Sequence, residues 1–144
     1  MIKNLTLLPL LLLIISCSKP IDDYSLVEKN GVYYQVNAEI PYNGEFLTFH
    51  NNGQKEWDRT YKDGKKDGLH TLWNENGQIT CKETYKDGKR DGLHIKWYYN
   101  GQKAMECDYK DGKPDGVWTF WDYNSQSKKS EAIWKDGIII SHKS

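Results

Sequence analysis

The sequence has no excess of charge of either sign, because 20 lysines and arginines are matched by 20 aspartates and glutamates in its 144 residues. Lys3 lies in a segment that we expect to be removed, which leaves 19 basic against 20 acidic residues. This balance excludes the strong positive field of nucleic-acid-binding proteins and the polybasic patch of a membrane-surface protein. We therefore expect no nucleic-acid partner.

Long apolar runs are also missing, apart from residues 5–15. As a helix this run would span about 16 Å, which is too short for a hydrocarbon core of about 30 Å. A basic start followed by a short apolar segment is typical of a secretory signal. The run ends in Ile14, Ile15, Ser16 and Cys17, which resembles the lipobox of bacterial lipoproteins. We predict a lipoprotein signal peptide at 1–16; the alternative is an ordinary signal with a chance cysteine.

Lipidation of Cys17 would place the protein in the cell envelope, since two or three acyl chains hold a protein firmly to a membrane. Ser18 follows the cysteine, where an aspartate would resemble the signal for retention in the inner membrane. We therefore expect an outer-membrane location if the organism has two membranes. Residues 17–30 are predicted to be the lipidated N-terminus and a short linker, 31–140 a single repeat domain, and 141–144 a tail.

Patterns that carry catalysis or bind cofactors are absent from the sequence. It contains no glycine-rich phosphate loop and no repeated relation of serine, histidine and aspartate. His70 and His94 occupy the same position in successive repeats and are expected roughly 9.6 Å apart, without further ligands. Asp63 and Asp67 resemble a calcium turn, but no bidentate glutamate follows them. We expect no catalytic residue, no metal, no cofactor and no enzymatic activity.

Cysteines are few, and two of the three lie in the predicted repeat domain. Cys81 and Cys107 fall on strands that the hairpin order separates by one further strand, so their Cα atoms should lie beyond the limit of about 7 Å for a disulfide. We predict two buried free thiols even in an oxidising compartment.

The sequence does contain an octapeptide that recurs every 24 residues, at 61–68, 85–92 and 109–116. Its period divides the chain into a lead-in hairpin at 31–43 and repeats at 44–67, 68–91 and 92–115, with an atypical capping repeat at 116–140. All twelve glycines follow asparagine or aspartate, and both dipeptides are strong hairpin signals. The segments between turns mix aromatic, β-branched and charged residues, as half-exposed strands do. We predict an all-β fold: an elongated, twisted antiparallel sheet of tandem hairpins.

Aromatic residues recur at two positions of this repeat. Five residues after the first glycine of each copy stand Phe49, Trp73, Trp97 and Trp121. Seventeen residues after it stand Tyr61, Tyr85 and Tyr109, with Trp134 as the counterpart after a one-residue insertion.

The length of the Asn-Gly turn decides which of these rings share a face of the sheet. A two-residue turn places the tryptophans and tyrosines on opposite faces, whereas a three-residue turn shifts the register by one. We favour three residues, because this register gathers apolar side chains on one face. That face would hold Leu69, Leu93, Ile95, Cys81, Met105 and Cys107 with both sets of rings. His70, His94, Lys82, Glu106 and Asp108 would lie on the other face.

The pattern of Asn-Gly-Gln, the octapeptide and a tryptophan five residues after its last glycine resembles the variant MORN repeat. It occurs in bacterial proteins of the YwqK family of toxin–antitoxin system antitoxins, and the likeness covers roughly residues 31 to 137. The resemblance implies an aromatic-lined sheet that binds or scaffolds another macromolecule. The binding residues that we expect are Phe49, Trp73, Trp97, Trp121, Tyr61, Tyr85 and Tyr109.

The expected function is that of a membrane-anchored, non-catalytic lipoprotein whose repeat sheet binds an unknown protein or acts as a scaffold. One alternative is an immunity protein that neutralises a toxin in the envelope. Another is a glycan-binding module, for which an exposed Trp118 would serve as a sugar platform.

Overall fold

The computed structural model describes residues 26–125 and 127–144, and every regular element in them is a β-strand. The predicted all-β fold of antiparallel hairpins is confirmed. In these residues no helix has the length and apolarity that crossing a bilayer requires. The predicted signal peptide and Cys17 lie outside the described residues.

The described residues contain thirteen strands. In chain order they are β1 (Leu26–Lys29), β2 (Val32–Gln35), β3 (Gly44–Phe49), β4 (Lys55–Lys62), β5 (Lys65–Lys66), β6 (Gly68–Trp73), β7 (Ile79–Lys86), β8 (Lys89–Trp97), β9 (Lys103–Lys110), β10 (Lys113–Pro114), β11 (Gly116–Trp121), β12 (Lys128–Lys135) and β13 (Ile138–Lys143). β1 lies inside the segment predicted as linker, and β13 extends into the predicted tail.

Strands β3 to β13 form one antiparallel sheet in chain order, with β3 and β13 at its two edges. The two-residue strand β5 pairs with β4, and the two-residue strand β10 pairs with β9. β1 and β2 form a separate hairpin. β2 and the residues that follow it, up to 43, are joined to the first repeat by backbone bonds: Tyr33 N–H donates to the Gly64 carbonyl at 2.7 Å, and Gly64 N–H donates to the Tyr42 carbonyl at 2.8 Å.

The Asn-Gly turns have three residues, as predicted. In the second repeat Asn74 N–H donates to the Gln78 carbonyl, and Gly77 N–H donates to the Asn74 carbonyl, both at 2.9 Å. Gly77 has a φ of 75°, the left-handed conformation that glycine adopts without strain. The turn is therefore a three-residue loop that ends in a left-handed glycine.

A β-bulge directly beside each of these turns reverses the effect of the turn on the register. Trp73 pairs with Ile79, but Leu72 pairs with Cys81, so Thr80 is an extra residue in β7. The other three repeats have the same irregularity, between Thr48/Phe49, Lys96/Trp97 and Phe120/Trp121. Beyond the bulge the strands have the register that a two-residue turn would have given.

The predicted distribution of side chains between the faces is therefore wrong, and the two sets of rings lie on opposite faces. The tyrosine face carries Phe46, Tyr61, His70, Cys81, Glu83, Tyr85, His94, Cys107, Tyr109, Trp118, Ala132 and Trp134. The tryptophan face carries Phe49, Leu69, Trp73, Leu93, Ile95, Trp97, Val117, Trp121 and Ile133. His70 and His94 are buried, whereas Leu69 and Leu93 are exposed.

The recurring octapeptide folds into a turn of its own. Lys62 pairs with Lys65 across Asp63 and Gly64, whose φ angles of 49° and 71° are those of a two-residue type I′ turn. The last glycine of the octapeptide, Gly68, has a φ of 98° and begins the next strand.

Successive octapeptides are hydrogen-bonded to each other through their aspartates. The second aspartate of each copy accepts a hydrogen bond from the backbone N–H of the first aspartate in the next connector. The pairs are Asp67 with Asp87 (3.2 Å), Asp91 with Asp111 (3.1 Å) and Asp115 with Asp136 (3.3 Å). Each copy of the octapeptide stabilises the following turn through this hydrogen bond, so the recurrence of the octapeptide has a structural role.

Candidate functional site: two faces and a buried cluster

The tyrosine face forms the core of the sheet. Its rings follow one another from strand to strand, so each side chain is covered by its neighbours. His70 lies 4.7 Å from the Tyr85 ring and 5.9 Å from the Tyr61 ring, and only 1% of it is exposed. A second series of contacts joins His94, Tyr109, Trp118 and Trp134 at 5.3 to 6.0 Å.

A polar network separates these two series of rings. Glu83 on β7 accepts hydrogen bonds from Arg90 Nη2 at its Oε1 and from the Tyr85 hydroxyl at its Oε2, both at 2.8 Å. Burial disfavours the charged form of Glu83, but the Tyr85 hydrogen bond and the charge of Arg90 outweigh burial and lower its pKa. Glu83 is therefore a charged carboxylate inside the face.

His94 on β8 lies opposite Glu83 and beside Cys81. Its Nε2 is 3.4 Å from Glu83 Oε1 and 3.4 Å from Cys81 Sγ, while its buried Nδ1 has no hydrogen-bond partner among the described residues. Burial lowers the pKa of His94, so the ring is neutral at pH 7. Burial and the nearby Glu83 raise the pKa of the Cys81 thiol to about 11.

A cavity of about 260 Å³ opens beside the lead-in hairpin, on the tyrosine face near β3 and β4. Tyr33, Phe46 and Trp57 contribute rings to its lining, and Arg59 and Lys66 contribute cationic side chains. Burial and the charge of Arg59 lower the pKa of Lys66.

The tryptophan face has a different character, because several of its apolar side chains are exposed. Leu69, Leu93 and Val117 occupy one position in three successive repeats and are 51%, 41% and 47% exposed. The tryptophans lie at the turn end of this face and are half-buried. Lysine ammonium groups lie over two of the rings, with Lys55 at 5.2 Å from Trp73 and Lys103 at 5.1 Å from Trp121.

The seven predicted binding residues do not form one aromatic groove. Phe49, Trp73, Trp97 and Trp121 lie on the tryptophan face, and Tyr61, Tyr85 and Tyr109 lie on the other. Tyr61 is only 3% exposed, and its burial is typical of a core residue. Trp118 is half-buried between Tyr109 and Trp134, and its Nε1 donates to the Asp108 carbonyl at 3.1 Å. The premise of an exposed Trp118 was therefore wrong.

The predicted free thiols are confirmed for the two cysteines that the structure describes, since Cys81 and Cys107 are both free and buried. The predicted separation of His70 from His94 also follows from the strand order, with β7 between β6 and β8. Sequence reasoning missed that His94 lies beside Cys81 and Glu83. The signal lay in the register of β7 with β8 across the octapeptide turn, in which Glu83 pairs with His94.

Comparison with known proteins matches the central part of the chain to a repeat family. The family model of the MORN repeat variant matches residues 66–87 and 90–111. No curated protein matches the chain. MORN repeats are compatible with a module that binds proteins or membranes. The chain therefore contains two adjacent MORN variant repeats, within a sheet of hairpins that extends the same pattern on both sides.

Proposed function

We propose that this protein is a non-catalytic lipoprotein, tethered to the cell envelope through Cys17, whose tryptophan face binds a protein partner. The tether is supported by the sequence at the end of the apolar run, where Ile14, Ile15 and Ser16 precede the cysteine. The binding role is supported by the MORN variant repeats and by the exposed apolar side chains of the sheet.

The observation that carries the binding role is the row formed by Leu69, Leu93 and Val117. Equivalent positions in successive hairpins lie about 9.6 Å apart, since neighbouring strands are about 4.8 Å apart. Ile133, which pairs with Val117 and is 41% exposed, extends the row toward the last hairpin. Thr84 and Asp108 lie on the intervening strands, so apolar and polar side chains alternate along the row. Exposed apolar side chains beside polar ones are the usual composition of a protein interface.

The charges beside this row favour a protein over an anionic membrane surface. Lys55 pairs with Asp58 at 3.1 Å and Lys128 pairs with Glu131 at 2.5 Å, and the equivalent Lys103 pairs with Glu106. These pairs neutralise most of the positive charge that attraction to acidic lipids would need. Half-buried tryptophans beside apolar residues and paired charges are the composition of a protein interface.

The buried cluster supports the absence of catalysis. In a catalytic triad the acid and the nucleophile contact different nitrogens of the histidine, so that a proton can pass through the ring. Here Cys81 and Glu83 both approach Nε2 of His94, and none of the described residues bonds to Nδ1. Such chemistry would need a lowered pKa for the Cys81 thiol and a raised pKa for the His94 imidazole. Burial does the opposite, since it raises the pKa of the thiol and lowers that of the imidazole.

Site-specific photocross-linking of the lipidated protein in its native envelope tests this proposal. A photoreactive residue at position 93 should capture one specific protein, whereas the same residue at position 99, whose tyrosine is 82% exposed in a turn, should not. Leu93→Lys should abolish capture from position 117 without loss of folding, because Leu93 is already exposed. Equal capture from positions 93 and 99, or full capture in Leu93→Lys, would contradict the proposal.

The same experiment separates the alternative partners. Capture of a toxic protein, together with toxicity when this chain alone is deleted, would identify an immunity role in the envelope. Retention on peptidoglycan or polysaccharide without a captured protein would identify a glycan-binding role, and the rings available for it are those of the tryptophan face.

A further inference from the structure

We propose that Cys81, Glu83 and His94 form a binding site for one thiophilic divalent cation of the zinc class. The three residues lie on neighbouring strands of the tyrosine face, and their ligand atoms all lie within 4.8 Å of one another. All three side chains are buried, with exposed fractions of 7%, 8% and 3%.

Two of the three distances between the ligand atoms agree with the edges of a tetrahedral zinc site, and the third, between Cys81 and Glu83, is within 4.8 Å. Zinc bonds of about 2.3 Å to sulfur and about 2.0–2.2 Å to nitrogen and oxygen give edges of about 3.6 Å between S and N and about 3.4 Å between N and O. The Cys81 Sγ to His94 Nε2 distance is 3.4 Å, and the distance from His94 Nε2 to Glu83 Oε1 is also 3.4 Å.

Hydrogen bonding alone accounts poorly for this convergence. Nε2 of a neutral imidazole makes one hydrogen bond, either as donor or as acceptor. Here that single nitrogen faces both a sulfur and a carboxylate oxygen, while Nδ1 has no hydrogen-bond partner in the part of the chain that the structure describes. A cation between the three atoms would bind sulfur, nitrogen and oxygen at the same time.

The charges of the site fit a dication. A thiolate from Cys81 and the carboxylate of Glu83 together neutralise two positive charges, and the imidazole of His94 is neutral. Arg90 and Tyr85 hold the Glu83 carboxylate by hydrogen bonds of 2.8 Å, as outer partners of metal-bound carboxylates do. Arg90 adds one positive charge beside the ligands. Its contact is to Oε1, which has a second lone pair for the metal.

Three protein ligands leave the fourth tetrahedral position to water. Glu83 also lines the 260 Å³ cavity beside the lead-in hairpin, which provides a route for water and ions.

The cluster occurs once among the repeats, although its framework is repeated. One repeat earlier the equivalent residues are Trp57, Arg59 and His70; one repeat later they are Met105, Cys107 and Trp118. The construction of the sheet therefore does not require this combination of side chains. The same comparison supplies two matched controls, His70 and Cys107, which are buried on the same face as His94 and Cys81 but lie outside the cluster.

Metal titration of the purified full chain tests the proposal, with Cys17→Ser in every sample so that the thiols are those of Cys81 and Cys107. Zinc is added under reducing conditions in competition with a chromophoric chelator, and cobalt is added separately to record its spectrum. We expect one zinc ion per chain and a thiolate-to-cobalt charge-transfer band.

Cys81→Ser, Glu83→Gln and His94→Gln should each weaken zinc binding at least tenfold, and Cys81→Ser should remove the charge-transfer band. Cys107→Ser and His70→Gln should bind zinc as the parent does. Far-ultraviolet circular dichroism verifies that each variant folds. The charge-transfer band of the parent protein is an independent test, because it does not depend on any substitution. No stoichiometric zinc binding, no thiolate band, or equal loss in the Cys107→Ser control would overturn the assignment.

Discussion

The carboxylate of Asp91 accepts a hydrogen bond from the backbone N–H of Asp111 at 3.1 Å, twenty residues further along the chain. The same bond joins Asp67 to Asp87 and Asp115 to Asp136. Each bond connects the octapeptide turn of one repeat to the octapeptide turn of the next, at the end of the sheet opposite the Asn-Gly turns.

Asp91→Ala should lower the free energy of unfolding by about 1 kcal/mol, because it removes one partly exposed hydrogen bond to a carboxylate. Urea unfolding, followed by circular dichroism, measures this change. Glu75→Ala is the control, since Glu75 lies exposed in an Asn-Gly turn. Equal stability of Asp91→Ala and the parent would show that the aspartate only solvates the turn.

Phe46 and Phe49 form a matched pair on one strand, with exposed fractions of 1% and 53%. Phe46→Ala should destabilise the protein by about 3–5 kcal/mol, since it leaves a cavity among the rings of Tyr42 and Tyr61. Phe49→Ala should cost less than about 1 kcal/mol. The urea midpoints of the two variants measure the difference, and similar midpoints would contradict the assignment of the tyrosine face as the core.

The stability of the protein should fall as the pH is lowered from 6.5 toward 4. Burial lowers the pKa of His70 from 6.5 to about 4, against the opposing effect of a hydrogen bond with Thr60. Between these values the unfolded chain binds a proton that the folded chain does not, so stability is complete above 6.5 and decreases as the pH falls. The loss attributable to His70 is on the order of 3 kcal/mol.

His70→Gln should reduce this pH dependence, although the variant is less stable at pH 7. The measurement is the slope of unfolding free energy against pH, compared with that of His50→Gln. An unchanged slope in His70→Gln would contradict a neutral, buried His70.

Cys81 and Cys107 should remain unreactive toward a thiol reagent while the protein is folded. Both are buried, and burial raises the pKa of Cys81 to about 11 and that of Cys107 to about 12, so little thiolate is present at pH 7. In a Cys17→Ser chain we expect no labelling in buffer and two labels per chain in urea. Rapid labelling in buffer would contradict the burial of these thiols.

The position of each hairpin was predictable from the sequence. Asparagine and aspartate followed by glycine mark turns through their backbone preferences, which act over two or three residues and need no tertiary contact. The assignment of Trp134 as the counterpart of the tyrosines is confirmed, because it pairs with Gly116 as Tyr85 pairs with Gly68. The sequence also predicted the free state of Cys81 and Cys107 from strand order.

Which face of the sheet each side chain occupies was not predictable, because a single extra residue in a strand decides it. The prediction placed the tryptophans and tyrosines together by counting a three-residue turn, and the turn does have three residues. The bulge that adds Thr80 to β7 then cancels the shift and sends every side chain beyond it to the other face. Nothing in the residues around Thr80 distinguishes a bulged strand from a regular one.

The sequence by itself determined the all-β repeat, its period and the positions of its turns, since these follow from local backbone preferences and a repeated spacing. Only the tertiary structure decided which face each side chain occupies, and with it the burial of His70, the exposure of Leu93 and the meeting of Cys81, Glu83 and His94. The physical reason is the two-residue period of a strand: a single inserted residue exchanges the two faces, so one bulge decides which side chains are buried and which are exposed.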